Sequence, residues 1–241
     1  MLIFIKKWNL VLLLVTLGVA VLSLGLAIRP ARVTETVSVP GFGKRIVLDA
    51  GHGEPDGGAV GNHGAVEQEL NLRITQLLQG YLEQSGVQVI LTRADSVGIY
   101  DPDSETIRQK KRTDLQNREK LMNESDCDLF VSIHMNKFTD ARYSGPQVFY
   151  SANGEESKRL ADCVQQSMVA VLKPVSHREI KQGGNDIYLL KKAKPPAILI
   201  ECGFLSNDRE EQLLQEEAYQ KKTAWAIYCG LLQYFSQQEQ E

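Results

Sequence analysis

Hydrophobic residues in this chain form short apolar runs that alternate with stretches of helical spacing. The first run, RIVLD at 45–49, is rich in β-branched residues and is followed by Gly51, which predicts a buried strand. From Glu67 to Gln84 the apolar positions recur every three or four residues, and Gly86 follows. This spacing predicts an amphipathic helix that ends near the glycine.

The same alternation continues along the rest of the chain. Further strands are predicted at 87–91, 129–133, 147–150 and 197–201, and helices at 113–123, at 155–172 and, as a closing pair, between Asp208 and Phe235. Strands that are apolar throughout and alternate with helices indicate the α/β class. We therefore expect a single domain with a mainly parallel, twisted sheet flanked by helices. The polar stretch from Asp95 to Arg112 is long for a connection and predicts a mobile lid or a disordered insert.

The N-terminal region has a different character. Leu10–Ile28 carries no charge and lies between Lys7 and Arg29. As a helix it would be roughly 29 Å long, close to the thickness of the bilayer hydrocarbon core. This predicts a transmembrane helix, or else a signal helix cleaved near the small residues at 25–27. The expected organisation is an anchor or signal at 1–28, a linker at 29–44, a folded domain at 45–236 and a tail at 237–241.

Composition narrows the choice of partners. A chain of 241 residues suits one domain plus an appendage. Its 27 Lys and Arg residues against 30 Asp and Glu residues give a net charge of -3, so it lacks the basic excess that nucleic-acid binding requires. The four cysteines have no closely spaced pairs, which excludes a zinc ribbon and predicts free, mostly buried thiols.

Polar residues follow three of the predicted strands. His52 comes after the first strand, His134 after the third and Glu201 at the end of the last, while Glu67 begins the first helix after a glycine-rich loop. The carboxyl ends of parallel strands share one sheet edge, so these groups can converge. Two imidazoles and one carboxylate form a ligand set that catalytic Zn²⁺ uses. A further carboxylate must then accept and return a proton, which leaves Glu201 as the base.

The alternative for each histidine is a structural, hydrogen-bonded residue. His63 lies in the glycine-rich loop and is expected to be solvated, although contact with a substrate stays open, and His177 is expected at the surface. Cys202 lies beside Glu201, but nothing in the sequence indicates a lowered thiol pKa, so a small buried side chain is expected there.

Five motifs occur in an order that resembles a known family. They are IVLDAGHGEPDGGAVG at 46–61, EQELNL at 67–72, LTR at 91–93, SIHMN at 132–136 and ILIECGFLSN at 198–207. Together they resemble the zinc-dependent N-acetylmuramoyl-L-alanine amidases of the Amidase_3 type over about residues 45–235. Two departures are modest: many members have DPGHGG where this chain has DAGHGE, and Cys202 stands where Thr or Val is common.

The resemblance implies roles for individual residues. By motif, His52, Glu67 and His134 would be zinc ligands and Glu201 the catalytic carboxylate. Arg93 and Asn136 also match motif positions and would position the substrate or the groups around the ligands. The implied reaction is hydrolysis of the amide that joins the lactyl group of N-acetylmuramic acid to L-alanine in peptidoglycan.

Further stretches narrow the resemblance within the family. RQKKRTDLQNREKLMN at 108–123, SGPQVFY at 144–150 and the closing helix are similar to germination-specific members from endospore-forming bacteria. This implies a role in muramic-δ-lactam formation in spore cortex, and an extracytoplasmic protein, membrane-anchored or secreted, with peptidoglycan as substrate. An activating protein partner stays open. Two alternatives remain: a non-catalytic peptidoglycan-binding or regulatory module, and a zinc peptidase that cuts within the stem peptide.

Overall fold

The computed structural model describes residues 7–27 and 39–239, with the backbone alone at 21–27. The chain divides into two units, 1–38 and 39–241. The first contains helix α1 (Lys7–Ala27). Within the described residues, no helix meets the length and hydropathy required of a membrane span. Most of the predicted linker, residues 29–38, lies outside the described residues, as do 1–6 and the last two residues of the predicted tail.

The second unit contains the sheet and six helices among the described residues. Its elements are β1 (Arg45–Ala50), α2 (Glu67–Gln84), β2 (Gln88–Leu91), α3 (Ile107–Glu124), β3 (Leu129–Asn136), β4 (Gln147–Tyr150), α4 (Glu155–Leu172), β5 (Lys181–Gln182), α5 (Tyr188–Lys192), β6 (Ala197–Phe204), α6 (Asp208–Gln215) and α7 (Glu217–Gln238). This is a single α/β domain with helices flanking a sheet, as the sequence predicts.

The six-stranded sheet has the order β2-β1-β3-β6-β4-β5. All neighbouring strands run parallel except β4, which is antiparallel to β6. The sheet is therefore mixed, and the prediction of a mainly parallel sheet is confirmed. Strands β1, β3 and β6 are central, so their carboxyl ends lie side by side at one edge.

Burial follows the hydrophobic pattern of the sequence. Strand β1 is buried from Ile46 to Ala50, and α2 turns one apolar stripe inward. The members of that stripe, spaced four residues apart, are Leu70, Ile74, Leu78 and Leu82. Burying each such side chain contributes about 1.5–3 kcal/mol. This packing fixes α2 against the sheet, and with it the helix start at Glu67.

The expectation of a disordered insert at 95–112 is wrong. Helix α3 begins at Ile107, where Thr106 and Gln109 form a reciprocal capping box. The preceding loop is held from the same helix: Ile99 N donates to Asp114 Oδ1 at 2.7 Å, and Asn117 Nδ2 donates to Ile99 O at 2.7 Å. Two side chains beyond the segment, Asp114 and Asn117, therefore hold its loop in place, and the alternative of a mobile lid stays a prediction.

Candidate metal centre

Three predicted ligand residues converge at the carboxyl edge of the sheet. His52 follows β1, Glu67 is the first residue of α2, and His134 lies within β3. Glu67 Oε1 is 3.2 Å from His52 Nε2 and 3.0 Å from His134 Nδ1. One ligand atom from each residue lies within 4.8 Å of the others. Both strands run three residues beyond their predicted ends, so His134 lies inside β3 rather than after it, and Glu201 lies inside β6 rather than at its end.

The Glu67 carboxylate is held in a fixed orientation. Its Oε2 accepts a hydrogen bond from Ala59 N at 2.8 Å, and its Oε1 accepts one from Met135 N at 3.1 Å. Burial alone would raise the pKa of Glu67, but the two histidines hold it well below its usual range. This carboxylate is therefore ionised and aimed between the imidazoles.

His52 is held from its other ring nitrogen. Its Nδ1 is 3.0 Å from Asp56 Oδ2, and Asp56 Oδ1 is 2.8 Å from Lys111 Nζ on α3. Burial lowers the pKa of His52, but hydrogen bonds to Asp56 and Glu67 outweigh this effect and raise the pKa to about 9. The same two carboxylates create a negative potential that favours a bound cation. With Nδ1 engaged by Asp56, His52 presents Nε2 to the centre.

Glu201 lies beside the three donors. Its Cα is paired with that of His134 in the β3–β6 ladder, so both side chains are on one face of the sheet. Burial raises the pKa of Glu201 to about 7, and the Glu67 charge acts in the same direction against the two histidines. Its Oε2 is buried and has no hydrogen-bond partner among the described residues. Glu201 is thus a carboxylate able to exchange a proton near neutral pH.

The donor set and the surrounding space fit a metal ion. Two imidazole nitrogens and one carboxylate oxygen suit Zn²⁺ better than Mg²⁺ or Ca²⁺, which take oxygen ligands. Gly51 makes room for the second imidazole, since a Cβ at this position would lie 2.2 Å from His134 Nε2. The arrangement can therefore hold a metal with Glu201 next to it.

Arg93 and Asn136 lie close to the centre but make different contacts. Arg93 is buried and donates to three backbone carbonyls around the ligands, those of Ala50, Gly51 and Gln68, at 2.7–3.0 Å. The Asn136 carbonyl accepts a hydrogen bond from Leu205 N. Arg93 thus fixes the loop and the helix that carry His52 and Glu67, while the predicted role of Asn136 stays a prediction.

The sequence analysis assigned no role to a buried ion pair beneath the centre. Arg118 on α3 binds the Asp49 carboxylate, and their side chains are only 2% and 1% exposed. Arg118 also donates to the carbonyls of Ala50 and His52. Asp49 belongs to the motif at 46–61 and ends the predicted strand at 45–49. These two features were the signals from which a role for Asp49 could have been predicted. Its partner Arg118 lies in the helix predicted at 113–123, where nothing in the local sequence indicates a contact with β1.

The remaining candidates lie away from the centre. His63 is exposed, with Nε2 3.4 Å from Asp208 Oδ1, and His177 is also exposed. Burial raises the pKa of Cys202 far above the usual thiol range, which agrees with a buried structural side chain. The four cysteines are free, as predicted, although Cys127 and Cys229 are partly exposed.

This fold with this donor cluster is typical of α/β metallohydrolases. The family model for N-acetylmuramoyl-L-alanine amidase, Amidase_3, matches residues 46–233, and the chain belongs to this family. It is an enzyme that hydrolyses the N-acetylmuramoyl-L-alanine bond of peptidoglycan.

Relatives and solved structures agree. The chain is 37% identical over 200 residues to the germination-specific N-acetylmuramoyl-L-alanine amidase of Bacillus subtilis, covering 83% of each. It is similar to the CwlD amidase of Clostridioides difficile, solved with the GerS lipoprotein, at 44% identity and a TM-score of 0.77 over 80% of this chain and 98% of that one. An N-acetylmuramoyl-L-alanine amidase of Clostridium difficile 630 matches at 32% identity and a TM-score of 0.70, over 80% of this chain and 97% of that one.

Proposed function

We propose that the chain is a zinc-dependent amidase with His52, Glu67 and His134 as the metal ligands. The observation that carries this proposal is the approach of Glu67 Oε1 to one nitrogen of each imidazole, at 3.2 and 3.0 Å. When bound, zinc would polarise the lactyl carbonyl and lower the pKa of a water molecule. The protein contributes a fixed donor set that the Asp56, Ala59 and Met135 hydrogen bonds hold in place.

Glu201 is the proton carrier in this proposal. It accepts a proton from the attacking water and returns it to the amine of L-alanine as the amide bond breaks. A pKa of about 7 suits both directions of transfer near neutral pH. The buried Oε2 that lacks a partner among the described residues is available for this exchange.

Two variants separate the proposed roles. Glu201→Gln should lower kcat at least 100-fold, since general acid–base catalysis typically contributes about 10²–10⁴-fold, while the zinc content stays unchanged. His134→Ala should lose zinc itself. Metal analysis of the purified full chain, combined with mass analysis of digested muropeptides, gives both readouts. Full activity of Glu201→Gln would contradict the base assignment.

The products test the bond that is cut. Stem-free muramic acid together with peptides that begin at a free L-alanine amine is expected, and chelation should abolish both. Cleavage within the stem peptide would indicate a peptidase, and absence of any products would indicate a binding module.

We further propose a role in spore cortex maturation and germination. The support is the similarity to the germination-specific relative from Bacillus subtilis. A deletion strain of the sporulating source should contain cortex without muramic δ-lactam, and the full-length gene should restore it. Normal δ-lactam content in the deletion strain would contradict this role.

We also propose that the chain acts outside the cytoplasm, with residues 45–236 as the catalytic domain, because its peptidoglycan substrate lies there. The uncharged run Leu10–Ile28 supports an anchor or a signal peptide. N-terminal sequencing of protein from the native host distinguishes the retained from the cleaved form. The complex of CwlD with the GerS lipoprotein supports an accessory protein for this chain as well.

A further inference from the structure

A row of paired residues leads from the metal centre toward β4 on one face of the sheet. His134 pairs with Glu201 across β3 and β6, and Glu201 pairs with Gln147 across β6 and β4. Residues paired in register point to the same face of a sheet, and neighbouring strands are about 4.8 Å apart. Gln147 therefore lies on the face that carries the centre, roughly 10 Å from His134 by that spacing.

Arg178 extends this row and is held rigidly. Its Nε donates to Gln147 Oε1 at 3.0 Å, and its guanidinium lies 5.1 Å from the Phe204 ring centroid and 5.6 Å from that of Tyr143. Among residues 7–27 and 39–239, no carboxylate forms an ion pair with Arg178, and its two Nη atoms have no hydrogen-bond partner. A fixed guanidinium with two free nitrogens is a preorganised bidentate donor for a carboxylate.

The space in front of Arg178 has the size and charge of an anion subsite. A cavity of about 380 Å³ is lined by Asp140, Arg142, Tyr143, Ser144, Ser176 and Arg178. An adjoining cavity of about 450 Å³ adds Lys173, Arg209 and Glu210. The two together are lined by four cationic side chains and two carboxylates, in a chain whose net charge is -3.

Both carboxylates already have partners within the protein. Asp140 forms an ion pair with Arg142 at 2.6 Å. Glu210 accepts hydrogen bonds from Gly145 N and Phe204 N, each at 2.8 Å. Neither carboxylate hydrogen-bonds to Arg178. The Arg178 charge lowers the pKa of Glu210 against the larger effect of burial, but its Nη atoms stay available to an external anion.

We propose that the groove formed by these two cavities binds the stem peptide through a peptide carboxylate held by Arg178. The inference rests on the proposed function, because it places the scissile amide at the metal centre. In that substrate the lactyl carboxyl is consumed in the amide, so the adjoining sugar offers only neutral groups to the enzyme. The peptide side retains carboxylates, and two to three extended residues cover about 10 Å. Because Arg178 bonds to Gln147, the charged groove begins just beyond this span and matches the peptide rather than the glycan.

The test compares two synthetic muropeptides that differ only in whether the stem-peptide carboxylates are free or amidated. Arg178→Ala in the full chain, kept in mild detergent, should lower kcat/KM at least tenfold on the free-carboxylate substrate and less than about twofold on the amidated one. Arg178→Lys should recover only part of the loss, because lysine lacks the planar fork. Arg73→Ala, which removes one exposed arginine from α2, is the equal-charge control and should not discriminate.

Each outcome decides the proposal. Equal losses on both substrates, or no loss on either, would overturn it, as would full rescue by lysine. If wild-type enzyme cleaves neither substrate, the proposed function fails on its own. Calorimetry with the free stem peptide then tests the groove separately: wild-type binding that Arg178→Ala abolishes supports it, and equal or absent binding overturns it. Unchanged thermal unfolding of each variant excludes loss of fold.

Discussion

Among single residues, Asp56 has the clearest role behind the candidate ligands. It binds His52 Nδ1 and is itself held by Lys111. Removing such a partner usually weakens metal binding about 10–100-fold, because the imidazole loses its fixed orientation. We expect a loss of this size for Asp56→Ala, measured by competition with a chromophoric chelator. Asp103→Ala, at an exposed turn, should leave the affinity unchanged. Wild-type affinity in Asp56→Ala would contradict the positioning role.

Gly51 gives a second prediction at the residue scale. Its added Cβ would lie 2.2 Å from His134 Nε2, closer than real contacts allow, so Gly51→Ala should displace the imidazole. Zinc content should fall while the far-ultraviolet spectrum stays native. Gly57→Ala is the control in the same loop, since its Cβ would meet Val66 at an ordinary 3.5 Å. Equal zinc content in the two variants would show that the ring can move aside.

At this scale the sequence identified the residues that converge, but only some of their supports. Motifs containing His52, Glu67, His134 and Glu201 carry that information, because each residue type has a distinct chemistry. Lys111 could not be found in the same way, since its role depends on how α3 packs against the loop after β1. Roles that arise from contact between distant segments leave no local signal.

At the scale of elements, α3 is joined to β1 by the buried Arg118–Asp49 pair. Removing one partner of such a pair leaves an unpaired buried charge and costs about 3–5 kcal/mol. Arg118→Ala should lower the free energy of unfolding by this amount in urea titrations. Arg112→Ala, an exposed position on the same helix, should change it by less than about 0.5 kcal/mol. A small effect at Arg118 would show that water replaces its contacts.

The same pair predicts a pH dependence of stability. Burial would raise the pKa of Asp49, but Arg118 and the Ser132 and Thr92 hydroxyls hold it below its ordinary 3.8. Because the folded pKa is lower than the unfolded one, ionised Asp49 stabilises the fold above about pH 4 and loses this effect as the pH falls further. In Arg118→Ala the folded pKa of Asp49 should rise, because its main lowering partner is gone, so the acid-induced loss of stability should be smaller than in the wild type, measured by urea midpoints between pH 3 and 7. Parallel pH profiles for the two proteins would contradict the coupling.

Contact between α4 and α7 depends on one glycine. A Cβ at Gly230 would lie 2.6 Å from the Val164 backbone, so Gly230→Ala should force the helices apart and cost about 1–3 kcal/mol. Gly80→Ala is the matched control, because Gly80 lies inside α2 with no atom within 4 Å of its added Cβ. Gly80→Ala should raise the free energy of unfolding by about 0.5–1 kcal/mol. If urea titrations gave changes of the same sign in the free energy of unfolding for both variants, the close approach of α4 and α7 at Gly230 would be refuted.

Periodicity identified the long elements because each one buries a continuous apolar stripe. It missed β5 and α5, since Lys181 and Gln182 are exposed and five residues are too few for a helical period. Periodicity also predicted too late a start for α3, because the exposed first turn of this helix resembles a polar loop in the sequence. The antiparallel direction of β4 depends on pairing with β6, a contact that its four residues do not encode alone.

At the scale of the whole molecule, metal binding should be linked to folding. The candidate ligands His52, Glu67 and His134 are far apart in the unfolded chain, so zinc should bind the folded state preferentially. At a free zinc concentration of 100 times Kd this contributes about 2.7 kcal/mol. For a domain of this size the stabilisation corresponds to a rise in Tm of roughly 5–10 °C.

Removing the metal should reverse that shift. Treatment of the full chain with a chelator should lower Tm by the same amount, and added zinc should restore it in scanning calorimetry. His134→Ala supplies the control, because its Tm should respond to neither treatment. A zinc-dependent rise that persists in His134→Ala would place the bound ion elsewhere, and the cluster of His63, Asp208 and Glu211 would be the next group of donors to mutate. That cluster joins the loop after β1 to α6. A metal bound there would therefore stabilise a different set of contacts from a metal bound by His52, Glu67 and His134.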